Sequence, residues 1–120
     1  MWTYSQHSGL LSREVVHFSG GYSGHLEGLN NPDMQHVAGV GPIPRGTYTI
    51  THPFTSDSTG PYSMRLIPAP GNVMFGRSAF LIHGDNRLGN HSASHGCIIE
   101  AHAIRVPIWE SGDRLLSVIV

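Results

Sequence analysis

The chain has a single cysteine, Cys97, in 120 residues, so no internal disulfide can staple it and no bridge reports on its redox compartment. Charge is scarce as well. Only 12% of residues are Asp, Glu, Lys or Arg, and the formal net charge is −1. Without a basic surplus there is no electrostatic drive toward nucleic acid or an anionic membrane surface. No apolar run approaches the roughly 20 residues that cross a bilayer. The opening Met1-Trp2-Thr3-Tyr4-Ser5-Gln6-His7 lacks the basic and apolar stretches of a classical signal peptide, so a role outside the cell is expected to need another export route. Internal repeats and low-complexity linkers are also missing. The length suits one domain, residues 1–120, around a single core.

What the chain does have is glycine, proline and histidine: 15, 8 and 9 residues. Frequent turn formers imply short elements and favour β structure over long helices. Residues 2–5 and 14–19 read as strands around the Ser8-Gly9 turn, with Val15, Val16 and Phe18 supplying β-branched and aromatic content. Residues 20–41 read as a long polar loop carrying the turn signal Asn30-Asn31-Pro32-Asp33. Alternation predicts a strand at 47–51, a loop at 55–62, and a short strand at 64–68 that Pro68 must end or place at an edge. Residues 79–82 predict an apolar strand that delivers His83 at its end. The only helical spacing, Ala101, Ile104, Val106 and Ile108, lies within 100–109 and is expected to be interrupted at Pro107. Residues 115–120 read as a buried final strand. The expected fold is mostly β, a partly closed sandwich or barrel with one short helix after Cys97.

Cys97 beside Ile98-Ile99 would by itself suit a core strand. Its other flank, Ser94-His95-Gly96, points elsewhere. A thiol must lose its proton to attack, so it needs a base within reach, and a glycine before it lets the backbone turn and present N–H groups to an oxyanion. His83-Gly84 supplies a second histidine, and the polar stretch Asp85-Asn86-Arg87-Leu88-Gly89-Asn90 can fold it back toward Cys97. Cys97 is therefore the expected nucleophile, its pKa depressed by pairing with histidine. His83 is the expected base and later the acid for a leaving amine, its ring oriented by a carbonyl such as that of Gly84. The N–H groups of Gly96 and Cys97 are the expected oxyanion donors. His95 competes with His83 as base or else shapes the site. Ser94 is either a turn residue or a direct participant.

These residues, His83-Gly84 followed by Ser94-His95-Gly96-Cys97, resemble the signature of L,D-transpeptidase catalytic domains. Ile43-Pro44-Arg45-Gly46-Thr47-Tyr48-Thr49-Ile50 resembles a strand of the same domains. Gly21-Tyr22-Ser23-Gly24, Leu29-Asn30-Asn31-Pro32-Asp33-Met34-Gln35 and Phe75-Gly76-Arg77-Ser78-Ala79-Phe80 are similar to a narrower group, the antibacterial L,D-transpeptidase-like effectors delivered by type VI secretion. The resemblance implies an L,D-transpeptidase-like fold that acts on peptidoglycan tetrapeptide stems, with no metal and no cofactor. Cys97 would attack the carbonyl of the third, diamino residue and expel D-alanine. Water or an amine would then take up the acyl group, giving carboxypeptidase trimming or exchange. It further implies synthesis in the cytoplasm, export by the secretion apparatus, action in a target cell's periplasm, and a cognate immunity protein. Ile99 stands where wall-building members carry Arg or Asn, which leans away from housekeeping cross-linking. Arg77 or Arg87 is then expected to grip a stem carboxylate, with Tyr22 beside the substrate.

Two rival classes remain at this level. His83, His91, His95, Cys97 and His102 are zinc-ligand types within twenty residues, although their intervals match no familiar pair. A non-catalytic wall-binding module would instead use aromatic, glycine-rich loops around Tyr22 and Tyr62.

Overall fold

Five segments of the chain alternate buried apolar residues with more exposed ones: Trp2 and Tyr4, Tyr48 and Ile50, Met64 and Leu66, Phe80 and Ile82, Leu116 and Val118. Period-two burial of this kind gives each strand one face for a core and one for other uses. A computed structural model describes residues 1–120 and contains ten strands. They are β1 (Trp2–Ser5), β2 (Leu11–Arg13), β3 (Val16–Phe18), β4 (Tyr22–Ser23), β5 (Gly46–Ile50), β6 (Phe54–Ser56), β7 (Gly60–Pro68), β8 (Phe80–His83), β9 (Ile98–Ile99) and β10 (Leu115–Ile119). One helix, α1, spans His102–Glu110.

The strands form a single sheet in the order β3-β2-β1-β10-β5-β7-β8-β9-β4, with β6 paired to β7. The sheet curls into a half-barrel, so the fold is mostly β. Its interior holds the five alternating pairs together with Leu11, Ile43, Ile98 and Ile108. Two of its pairings are parallel: β1 with β10, and β8 with β9. A parallel pair cannot be closed by a hairpin and needs a crossover of a dozen residues or more. Between β8 and β9 that crossover is residues 84–97, the polar stretch ending in Cys97.

Several expected boundaries are corrected. Residues 14–19 are not one strand, because Glu14 and Val15 form the two-residue tip of the β2–β3 hairpin, with Arg13 opposite Val16 and Glu14 at φ 55°. Val15 is 89% exposed there, so its β-branched side chain reflects no burial. The polar 20–41 segment contains a strand, β4, and two 3-10 turns at Leu26–Gly28 and Pro32–Met34. The expected loop at 55–62 contributes to the β6–β7 hairpin. Pro107 does not interrupt α1: it lies on the exposed face, where water can serve the Ala103 carbonyl that loses its N–H partner. In β10 only Leu116 and Val118 are buried, while Leu115 and Ile119 face outward. No helix is long and apolar enough to cross a membrane.

Candidate active site

The parallel register of β8 and β9 sets the geometry. Ile82 faces Ile98 and His83 faces Ile99, so Cys97, just before β9, falls opposite Leu81 and two positions from His83. Diagonal neighbours in a sheet are roughly 7–8 Å apart, and somewhat less at Cβ. Thiol and imidazole are thus carried at adjoining strand ends, and no hydrogen bond joins them. Cys97 is partly exposed as a residue, and its sulfur accepts one hydrogen bond, from the Leu81 N–H at 3.3 Å.

The turn before Cys97 is held from several sides. The Ser94 hydroxyl is fully buried, donates to the Cys97 carbonyl at 2.5 Å, and accepts from the N–H groups of Gly24 at 2.9 Å and Gly96 at 3.1 Å. That makes Ser94 a turn residue. It also corrects the expectation for Gly96, whose N–H is engaged within the turn rather than free for an oxyanion. Gly96 has φ 137°, and a Cβ there would sit 2.5 Å from Arg77 Nη2 and 2.8 Å from Phe80 Cε1. Glycine is therefore demanded twice, by backbone conformation and by space. The Gly96 carbonyl accepts from Ser23 Oγ at 2.9 Å, and that oxygen in turn accepts from the Ile43 N–H.

Arg77 is the second correction. It is buried, lies over the Phe80 ring, and donates to the carbonyls of Gln35, Pro42, Gly41 and His95. Four of its five N–H donors are taken by backbone, so it ties the chain at Gln35 and at Gly41-Pro42 to the cysteine turn instead of offering a fork to a carboxylate. Tyr22 is corrected likewise. It is 2% exposed, its hydroxyl donates to Asp85 Oδ1 at 2.8 Å and accepts from the Ala93 N–H at 3.1 Å. Arg87 is exposed on the crossover and remains available to a ligand. His95 is exposed and packs against His25 with ring centroids 4.7 Å apart.

His83 is 5% exposed and its Nδ1 donates to the Gly84 carbonyl at 2.8 Å. A carbonyl only accepts, so Nδ1 carries the proton and Nε2 keeps a lone pair. Burial pulls the His83 pKa below its ordinary value; the Gly84 carbonyl and Asp85 oppose this and the Arg105 cation adds to it. Burial pushes the Cys97 thiol up, against smaller opposing effects of the Leu81 N–H and Arg77. The expected depression of the thiol pKa is therefore overturned. A buried thiolate would have one N–H and the backbone-tied Arg77 cation for company, too little to repay its lost hydration. Both shifts favour the neutral forms of thiol and imidazole.

Sequence reasoning missed two buried charged residues behind the site. Arg105 is 5% exposed and donates from Nη1 to the Glu100 carbonyl at 2.6 Å and from Nε to the Tyr62 carbonyl at 3.2 Å. Its Nη1 lies so close to Gly84 that a Cβ there would be 2.5 Å away. Its spacing from Ala101 and Ile108 places a cation on the apolar stripe of α1, and that was the available signal. Glu100 is 1% exposed, both carboxyl oxygens lack a partner, and its N–H donates to the His83 carbonyl. Burial raises its pKa to about 8, with Arg105 opposing.

The zinc-type side chains diverge. His91 packs on Tyr22, His95 on His25 and His102 on Tyr62, and no three His, Cys, Asp or Glu side chains are gathered as a metal would need. Tyr22 and Tyr62 lie in strands, not in the binding loops expected of a wall-binding module. A cavity of about 240 Å³ opens beside His83, lined also by Ser58, Thr59, Gly84, Asp85 and Asn86.

Comparison with known families matches residues 17–115 to the model described as the Tlde1 domain. No curated protein matches the chain.

Proposed function

Because this chain belongs to the Tlde1 domain family, a family of antibacterial effectors of type VI secretion, we propose that it is a cysteine enzyme that trims and exchanges the tetrapeptide stems of bacterial peptidoglycan. Membership implies a secretion apparatus and an immunity protein as partners, and delivery into target cells. The observation that carries the enzymatic reading is the partly exposed Cys97 at the head of β9, two positions across from a buried His83 whose Nδ1 is committed to the Gly84 carbonyl, which leaves Nε2 to act as base.

In this reading the resting sulfur keeps its proton until substrate arrives. The stem closes the distance between the strand ends. His83 Nε2 then takes the thiol proton as sulfur adds to the carbonyl of the third stem residue. The same proton passes to the departing D-alanine amine, leaving a thioester on Cys97. Attack by water yields a trimmed stem, and attack by an amine yields an exchanged one. Either step expels the sulfur, which regains a proton from His83. Trimming removes the donor stems that cross-linking requires, which would weaken the wall of a target cell.

Incubating disaccharide-tetrapeptide with the protein and following it by mass spectrometry tests this. The expected result is loss of D-alanine, and incorporation of an added D-amino acid. Both should vanish in Cys97→Ala and fall at least about 100-fold in His83→Ala, the scale of a lost general base. Unchanged stems with the wild-type protein would overturn the reading. Activity surviving in the His83 variant but not in His95→Ala would move the base to His95.

A further inference from the structure

Gly84 follows His83, and its backbone does not explain why a glycine stands there. Its φ is not among the positive ones, so an L residue could adopt its conformation. Space is what excludes a side chain. The three atoms that a Gly84 Cβ would meet all belong to one guanidinium: Arg105 Nη1 at 2.5 Å, with Cζ and Nη2 at 3.2 Å. The far end of an arginine ordinarily swings aside. This one is buried and tied, by Nη1 to the Glu100 carbonyl, by Nε to the Tyr62 carbonyl, and at 3.4 Å by Nη2 to the Pro61 carbonyl. Helix α1 thus sets a fixed, flat group against the residue whose carbonyl holds His83 Nδ1–H.

We propose that Arg105 is a positioning residue for the base: its guanidinium, seated against Gly84, fixes the carbonyl that keeps the His83 ring in the Nδ1–H form with Nε2 free. The inference rests on the stem-modifying reading, in which Nε2 must be unprotonated and aimed when the stem arrives. The charge of Arg105 acts in the same sense. Both salt bridges of the chain go to Asp113, so Arg105 has none, and its neighbour Glu100 keeps its proton at neutral pH. The other titratable groups around His83 do not cancel that cation. Asp85 on the crossover is exposed and already receives the Tyr22 hydroxyl and the Asn86 N–H. Burial favours the neutral Cys97 thiol on β9, Arg65 of β7 is exposed over the Phe54 ring, and His102 of α1 lies against Tyr62. A lone cation disfavours a second one beside it, so the imidazole stays a base.

NMR of the imidazole nitrogens in substrate-free protein reads this without turnover, His83 being assigned by its loss in His83→Ala. Wild type is expected to show the Nδ1–H form, titrating below a free imidazole. In Arg105→Met, which keeps bulk but neither charge nor donors, the two tautomers should mix and the midpoint should rise. Arg105→Lys keeps the charge without the fork, so the midpoint should stay low while the tautomers mix. Gly84→Ala, which displaces the same carbonyl and leaves the charge, should behave like Arg105→Lys. On stems, kcat in all three should fall about 10- to 100-fold with KM within about twofold, the scale of a misplaced catalytic group. The acid limb of kcat/KM should move up only in Arg105→Met. A wild-type His83 in the Nε2–H form, or titrating no lower than a free imidazole, overturns the inference whether or not any variant folds. So do Arg105→Met spectra that match wild type. If wild type leaves stems uncut while the His83 signals follow the expected pattern, the stem-modifying reading fails and the positioning role stands.

Discussion

At the scale of single residues, the resting state of Cys97 sets how readily its sulfur reacts in solution. A thiol pushed up by burial is a poor nucleophile toward small electrophiles. Alkylation by iodoacetamide at pH 7 should therefore be slower than for a free cysteine and should climb as pH rises past the ordinary thiol range. A rate above that of free cysteine at pH 7 would show an ion pair instead. Glu100 gives a second prediction. Its pKa is about 8 when folded against 4.5 for an ordinary glutamate, so between those values the folded chain holds a proton that the unfolded chain has released. Stability must then fall as pH rises from about 4.5 through 8. Glu100→Gln should flatten that decline, with a gain on the order of a few kcal/mol near pH 9, read from urea denaturation across pH. The local turn of Ser94–Cys97 was legible, because a serine hydroxyl reaching backbone two and three residues away is a property of the tetrapeptide itself. Arg77 was not. An arginine in a glycine-flanked stretch reads as solvent-facing, and only chain segments near residues 35, 41 and 95 turn it inward.

At the scale of elements, the seat of the sulfur is a turn braced by backbone contacts, so small changes there should matter more than the loss of the thiol. Gly96→Ala puts a methyl against Arg77 and Phe80 at a φ that L residues rarely adopt. It is expected to cost about 2 kcal/mol or more in denaturant unfolding and to abolish turnover. Cys97→Ala, which removes only a half-buried sulfur, should cost at most about 1 kcal/mol. Should the two variants prove equally stable, the bracing role of Gly96 is wrong. Strands with clean alternation, β1 and β5, were readable because one face of each is buried, and β8 was readable as a short apolar run. The two-residue strands β4 and β9 were not. Their hydrogen bonds join Tyr22 to Ile99 and Ser23 to Ile98, partners some 75 residues away that leave no periodic trace in so short a run.

At the scale of the whole molecule, the middle of the sheet is built from the two ends of the chain. The family match begins at residue 17 and ends at 115, yet Trp2, Tyr4 and Leu11 before it, and Leu116 and Val118 after it, are core residues. A protein lacking residues 1–13 is expected to lose cooperative unfolding, since β10 would expose one edge and the core three large side chains. A sharp thermal transition in that shortened chain would refute this. Composition and turn density made the β class legible, but the parallel pairing of first and last strands was out of reach, because local pattern carries no information about which distant strands meet.

That terminal pairing has a mechanical meaning. Parallel strands gripped at the start of one and the end of the other are loaded in shear, so all β1–β10 bonds must give way together instead of opening one by one. Pulling β1 and β10 apart along their length works against the whole register at once. Such a molecule is better suited to being carried to its destination as a folded payload than to being drawn, thread-like, through a narrow pore.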